Sequence, residues 1–170
     1  MNMTLDITKL SPRYEVRQLG EEDFPAILAL YQSNPQYFAP MGQEPPQGGL
    51  EEDLAALPPG KTMEDKYFLG FFQDGAMTAL LELVTGYPDE GTGYIGLFMV
   101  DARHQGQGEG SRLIGEILAH LKDAGLGYAE LCYSYGNQQS EHFWMKNGFI
   151  PTGSVRQQGE YYVISLFKKL

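Results

Sequence analysis

The sequence predicts a mixed α/β fold: a central, twisted, mostly antiparallel sheet of about seven strands with flanking helices. Three observations carry this. Asp74-Gly75 separates two apolar runs, as in a tight hairpin, and a second hairpin closes the chain. Between them Tyr94 to Val100 is apolar at alternating positions of both parities, as in a central strand covered on each side, and it feeds a glycine-rich loop and an amphipathic helix. Finally, 170 residues with 42% hydrophobic content suffice for one packed domain spanning 1–170.

The elements follow in order. Arg13 to Leu19 alternates as a first strand. Phe24, Ile27, Leu28 and Tyr31 then share a helical face, with Asp23 placed to cap it and Asn34-Pro35 to stop it. Six of the ten prolines lie between Asn34 and Gly60, so this stretch reads as irregular around a short helix at Leu50 to Leu57; overhanging a site, it would present Tyr37 and Phe38 as wall residues. Tyr67 to Gln73 and Ala76 to Thr85 form the antiparallel hairpin. After the central strand, Leu113, Ile114, Ile117, Leu118 and Leu121 mark the buried stripe of a helix from about Gly108 to Ala124, ended by Gly125. Tyr128 to Ser134 is a strand and Ser140 to Asn147 a short helix closed by Gly148. Phe149 to Val155 and Tyr161 to Phe167 pair across Gln157-Gln-Gly159.

Charge and composition exclude several functions. Twelve Lys and Arg against 22 Asp and Glu give −10, which disfavours a surface built to neutralise nucleic-acid phosphates. No apolar run reaches the roughly 20 residues needed to span a bilayer, and Met1 to Leu10 lacks the apolar core of an export signal. One cysteine, Cys132, and three scattered histidines spell neither a disulfide nor a metal site. A cytoplasmic protein without metal or membrane partner is expected. His104, His120 and His142 have no triad context, and Cys132 reads as a core thiol.

The chemistry gathers in Val100-Asp-Ala-Arg-His-Gln-Gly-Gln-Gly-Glu-Gly-Ser-Arg-Leu-Ile114. A glycine loop opening a helix offers unpartnered N–H groups and the positive end of the helix dipole to an anion. Arg103 and Arg112 bracket the single Glu109. There is no Gly-Lys-Ser/Thr for a Walker loop, and the third glycine of a dinucleotide fingerprint falls on Ser111. Ser111 also lacks the Gly-x-Ser-x-Gly frame of a hydrolase elbow. Gln105-Gly-Gln-Gly108-Glu-Gly110 does fit Gln/Arg-x-x-Gly-x-Gly/Ala, and Asn137-Gln-Gln-Ser140-Glu-His-Phe143-Trp144-Met-Lys-Asn-Gly148-Phe149 fits Asn-x-x-Ala-x-x-Leu-Tyr-x-x-x-Gly-Phe.

With these two motifs, in this order, the chain resembles the GCN5-related N-acetyltransferase (GNAT) family along essentially its whole length. The resemblance implies a splayed pair of central strands and direct transfer of an acetyl group from acetyl-CoA, as cosubstrate, to a primary amine. It implies that main-chain groups of Phe98, Met99 and Val100 pair with pantetheine. Gln105, Gly106, Gln107, Gly108, Gly110 and Ser111 would hold the pyrophosphate, while Asn137 and Phe143 would contact the pantetheine arm. Gly96 would mark a bulge, or else simply pack closely.

A neutral amine is required, since an alkylammonium with a pKa of about 10 has no lone pair to offer. The central strand has no acidic residue, where many relatives carry a glutamate; Glu82, the only carboxylate in Ala79 to Val84, is the candidate base. The family's proton-donating tyrosine is here Trp144, which leaves Tyr133, Tyr135 or solvent to protonate the thiolate. That departure motivates an alternative, a non-catalytic acyl-CoA-binding or regulatory module of the same fold. The acidic chain suits a cationic acceptor, and the apolar faces of the closing hairpin suit a homodimer.

Overall fold

The computed structural model describes residues 3–170, so the first two residues of the N-terminal stretch lie outside it. Strands β1 (Glu15–Gln18), β2 (Lys66–Gln73), β3 (Ala76–Thr85), β4 (Thr92–Val100), β5 (Tyr128–Ser134), β6 (Ile150–Gln158) and β7 (Tyr161–Lys169) form one sheet in the order β1-β2-β3-β4-β5-β7-β6. The helices are α1 (Phe24–Gln32), α2 (Pro35–Phe38), α3 (Leu50–Ala55), α4 (Glu109–Asp123) and α5 (Gln138–Lys146). Every strand pair is antiparallel except β4 with β5, because α4 carries the chain back across the sheet between them.

Local chemistry explains the connections. Asp74 and Gly75 both take positive φ, 52° and 80°, the geometry that matches a two-residue turn to the twist of its strands. Asp23 does not cap α1; its carboxylate accepts from Gly20 N at 3.0 Å and pairs with Arg17 at 2.8 Å, closing the 3-10 turn that precedes the helix. Past Asn34 the chain continues helically through α2 rather than turning irregular at once. The closing turn is Gly159-Glu160, and β6 runs on to Gln158 as an edge strand exposed throughout. Ile150, Val155 and Tyr162 are its exposed large apolar side chains and those of its partner.

Both faces of the sheet are covered. Leu113, Ile114, Ile117, Leu118 and Leu121 of α4 meet Leu81, Leu83 and Ile95 on one face, each burial worth roughly 1.5–3 kcal/mol. Ile27, Leu30, Phe38 and Leu50 of α1 to α3 meet Phe68, Leu80 and Met99 on the other. Alternation along β3 thus sends neighbouring leucines to opposite cores.

The sheet is interrupted at one place. β4 and β5 pair only from Thr92↔Tyr128 to Ile95↔Leu131, after which no ladder joins them. At the same level the β3–β4 register passes from Glu82↔Leu97 to Leu83↔Ile95, leaving Gly96 as the extra residue of a bulge. Gly96 is therefore exposed and Leu97 and Phe98 are only half-buried, so the central strand is open over these three residues, while Met99 and Val100 beyond them are buried as the sequence suggested.

Candidate active site

A cleft of about 310 Å³ lies on the glycine-loop side of the parted strands, lined among others by Phe98, Val100, Gly108, Ser111, Asn137 and Phe143. Gly106 and Gly108 hold φ of 81° and 79°, a region that side chains resist, and Gly108 is the N-cap of α4 with no side chain competing for its first turn. The amides of Glu109, Gly110 and Ser111, without helical partners, therefore lie at the mouth of the cleft. A Cβ at Gly110 would meet Phe143 Cε1 at 3.0 Å, so this glycine lets α4 sit against α5.

Glu109, at the head of α4, would oppose an anion, but Arg13 and Tyr14 both donate to its carboxylate. Burial disfavours its charge; Tyr14 and Arg13 more than offset that and hold its pKa below the ordinary value. Arg103, expected to lend its charge to the loop, pairs instead with Asp101 at 3.1 Å. Arg13, with a smaller contribution from Arg112, thus offsets the one carboxylate at the head of the helix.

Gln105 turns inward. Its Nε2 donates to Asn34 Oδ1 at 2.6 Å and Val100 O at 2.7 Å, while Asn34 Nδ2 reaches Val100 O at 3.1 Å. The side chains replace the missing strand partner of β4. Because Asp101 N donates to Thr78 O at 2.8 Å, the main chain of Met99 and Asp101 faces β3 and that of Phe98 and Val100 faces the gap. The Val100 carbonyl is already engaged. Phe98 retains main-chain groups turned toward the opening, and Met99 also lines the cleft.

Asn137 caps α5, accepting from Ser140 N at 3.1 Å, and it lines the cleft. Phe143 stacks on Phe98 with centroids 5.9 Å apart. Trp144 is buried, 4.9 Å from the Phe143 ring and 5.1 Å from that of Phe149, so its indole serves the core more than the cleft edge it touches. The Gln107 side chain points outward and does not line the cleft. Tyr133 is 7% exposed, packs in the α4-side core and lines neither hollow, with burial pushing its hydroxyl pKa up. Tyr135 is 68% exposed and lines neither hollow.

A second hollow of about 320 Å³ opens by the Gly96 bulge, between Glu82 and Leu97 on the sheet and Tyr37, Phe38 and Asp53 from the proline-rich stretch. The part of that stretch from Phe38 to Asp53 therefore lies on the side away from the glycine loop, while its start, Asn34 and Gln36, lines the first cleft and Tyr37 lines both hollows. A Cβ at Gly96 would fall on Glu82 Oε1, so the absent side chain is what lets the carboxylate lie over the bulge. Burial pushes the pKa of Glu82 up, against the pull of Lys66, whose Nζ stands 4.0 Å away. Burial likewise raises Asp53 and pushes Tyr37 up to about 12.

Lys66, its side chain 1% exposed, donates to Asp53 O and Ala56 O at 2.6 Å each, tying down the end of α3. Asn34, Tyr31, Asp53 and Lys146, which lines the first cleft, were not legible as site residues. A buried asparagine ending a helix just before a proline was the one available signal, and it read as a stop. Among the described residues there is no cluster of His, Cys, Asp and Glu able to hold a metal ion, and no helix long and apolar enough to cross a membrane.

Residues 24–149 match the model of the acetyltransferase (GNAT) family, and the chain belongs to that family. Among solved structures it is similar to an acetyltransferase from Thermus thermophilus, with 19% identity, TM-score 0.71 and full coverage of both chains (100% and 100%). It is also similar to the PaiA N-acetyltransferase of Thermoplasma acidophilum in complex with coenzyme A, with 19% identity and TM-score 0.66 over 92% of this chain and 98% of that one. A third likeness is to the ribosomal-protein-S18-alanine N-acetyltransferase of Escherichia coli, with 16% identity and TM-score 0.65 over 91% and 92%. At these identities the likeness is one of fold. No curated protein sequence matches the chain.

Proposed function

We propose that this protein transfers the acetyl group of acetyl-CoA to a primary amine by direct attack of the amine on the thioester. The observation that carries the reading is the interruption of the sheet beyond Ile95 and Leu131, with an amide-lined cleft on one side and a carboxylate-bearing hollow on the other. Family membership and a fold neighbour described with coenzyme A support it.

The first-turn amides from Gly108 to Ser111 would hold the pyrophosphate, with Lys146 adding a positive charge at the rim. The pantetheine arm would run past Asn137 and Phe143 along the exposed main chain of Phe98, as an added strand lies along an open edge. Glu82, whose raised pKa brings it nearer to neutrality, would take the proton of the bound ammonium. The amine nitrogen then attacks the thioester carbonyl, the tetrahedral adduct gives up its surplus N–H proton to water, and it collapses with cleavage of the C–S bond as the thiolate leaves. Of the three ammonium protons one goes to Glu82, one stays in the amide and one matches the proton the sulfur takes up. Tyr37, a protonated phenol facing both hollows, stands where it can return a proton to that sulfur; Tyr133 does not.

Calorimetric titration with acetyl-CoA tests the cofactor half. Wild type is expected to bind, and Gly110→Val to bind at least tenfold more weakly because its side chain enters the space of Phe143. Thiol release across a panel of amines tests transfer. Tight binding without turnover on any amine would favour the non-catalytic module, and absence of binding would overturn both readings.

A further inference from the structure

We infer that the acceptor is a primary amine with no carboxylate beside its amino group, a monoamine or the amino terminus of a peptide and not a free amino acid. This deepens the proposed transfer reaction and rests on it. The side chains lining the second hollow include two carboxylates, Asp53 and Glu82, and no cationic group among the described residues. Lys66, the cation that faces Glu82, is not available to a ligand. It is buried, and its Nζ is already committed to two main-chain carbonyls at 2.6 Å and faces Glu82 at 4.0 Å.

Charge balance follows from this arrangement. Two carboxylates and one buried ammonium leave a single net negative charge, which one substrate ammonium neutralises. An amino acid would bring a second anion within a few bonds of that ammonium, facing Asp53 and Glu82 with no donor cation to receive it. Such a like-charge juxtaposition is strongly selective in a partly desolvated site. Of the remaining walls, Tyr31, Tyr37, Phe38, Pro46 and Leu97 offer aromatic and aliphatic surface for an uncharged body, and Gln43 and three glycines add neutral amide groups but no positive charge. They also provide no further charges that a polycation would need to pair beyond its first ammonium.

The experiment compares matched acceptors that differ only beside the amine: tyramine, tyrosinamide and tyrosine, then isoamylamine and leucine. Each is assayed by thiol release and, independently, by calorimetry against the protein saturated with coenzyme A. The carboxylate-free member of each set is expected to have kcat/KM at least tenfold above the amino acid, about 1.4 kcal/mol. Asp53→Asn is expected to shrink that ratio at least threefold without loss of coenzyme A binding. Tyramine favoured over tyrosinamide points to a monoamine, and the reverse to a peptide terminus. Equal use of amino acids, a preference for them, or no binding of any acceptor while coenzyme A binds would overturn the inference and leave the cofactor reading intact. Failure to bind coenzyme A would instead sink the reading beneath it.

Discussion

Replacing Gly96 by alanine separates the carboxylate from the cleft in a single step. The new methyl would occupy the position of Glu82 Oε1 and stand 3.1 Å from Cδ, so the carboxylate must swing off the bulge. Little else should change. Gly96 lies outside the left-handed region, so alanine meets no backbone strain, and the smaller freedom of the unfolded chain offsets part of the crowding. Stability is therefore expected within about 1 kcal/mol of wild type. A positioned base contributes about 10²–10⁴ to rate, which corresponds to about 2.7–5.4 kcal/mol of barrier at 1.36 kcal/mol per decade. Thiol release at saturating acetyl-CoA should fall by that range in Gly96→Ala, with calorimetric affinity for acetyl-CoA unchanged because Gly96 does not line the first cleft. Glu82→Gln should show a similar loss, and the double variant no more than either alone, since both remove one interaction. Turnover of Gly96→Ala within twofold of wild type, or additive losses in the double variant, would refute the assignment of Glu82.

Two further outcomes follow from the burial of titratable groups. Glu82 has its pKa raised in the fold, so its stabilising contribution is complete below the ordinary carboxylate value and is lost as pH rises through the raised one. Glu82→Gln should therefore melt above wild type at pH 7.5, the difference vanishing near pH 4; a lower melting temperature at neutral pH would mean that the Lys66 pair outweighs burial. Tyr37→Phe should lower kcat about tenfold or more, while Tyr133→Phe should stay within twofold, and the opposite ranking would return the proton-donor role to β5.

The Gln105 to Ser111 loop and the Asn137 to Phe149 motif were legible because their geometry is local: a run of glycines before a helix exposes amides whatever surrounds it. All seven strands were legible from periodicity and turn residues, β3 and β5 to their exact bounds, while the ends of the two edge strands were not. β1 is shorter than its alternating run and β6 longer, since an edge strand extends only where its neighbour offers a partner. Local charge misled at Arg103, whose nearest carboxylate, Asp101, captures it. Arg13 reaches Glu109 from nearly a hundred residues away, and no spacing rule marks such a pair.

Neighbours along the chain were enough to specify the sheet with its covering helices, the anion-ready loop and Glu82 as the sole acid within its strand. Folding had to settle that Gly96 clears room for that acid, that Asn34 and Gln105 satisfy a strand end left open, and that Tyr37 rather than Tyr133 faces both hollows. Those outcomes depend on where a bulge falls and how a proline-rich segment crosses the sheet. They are fixed by contacts between residues far apart in the chain, which local patterning does not encode.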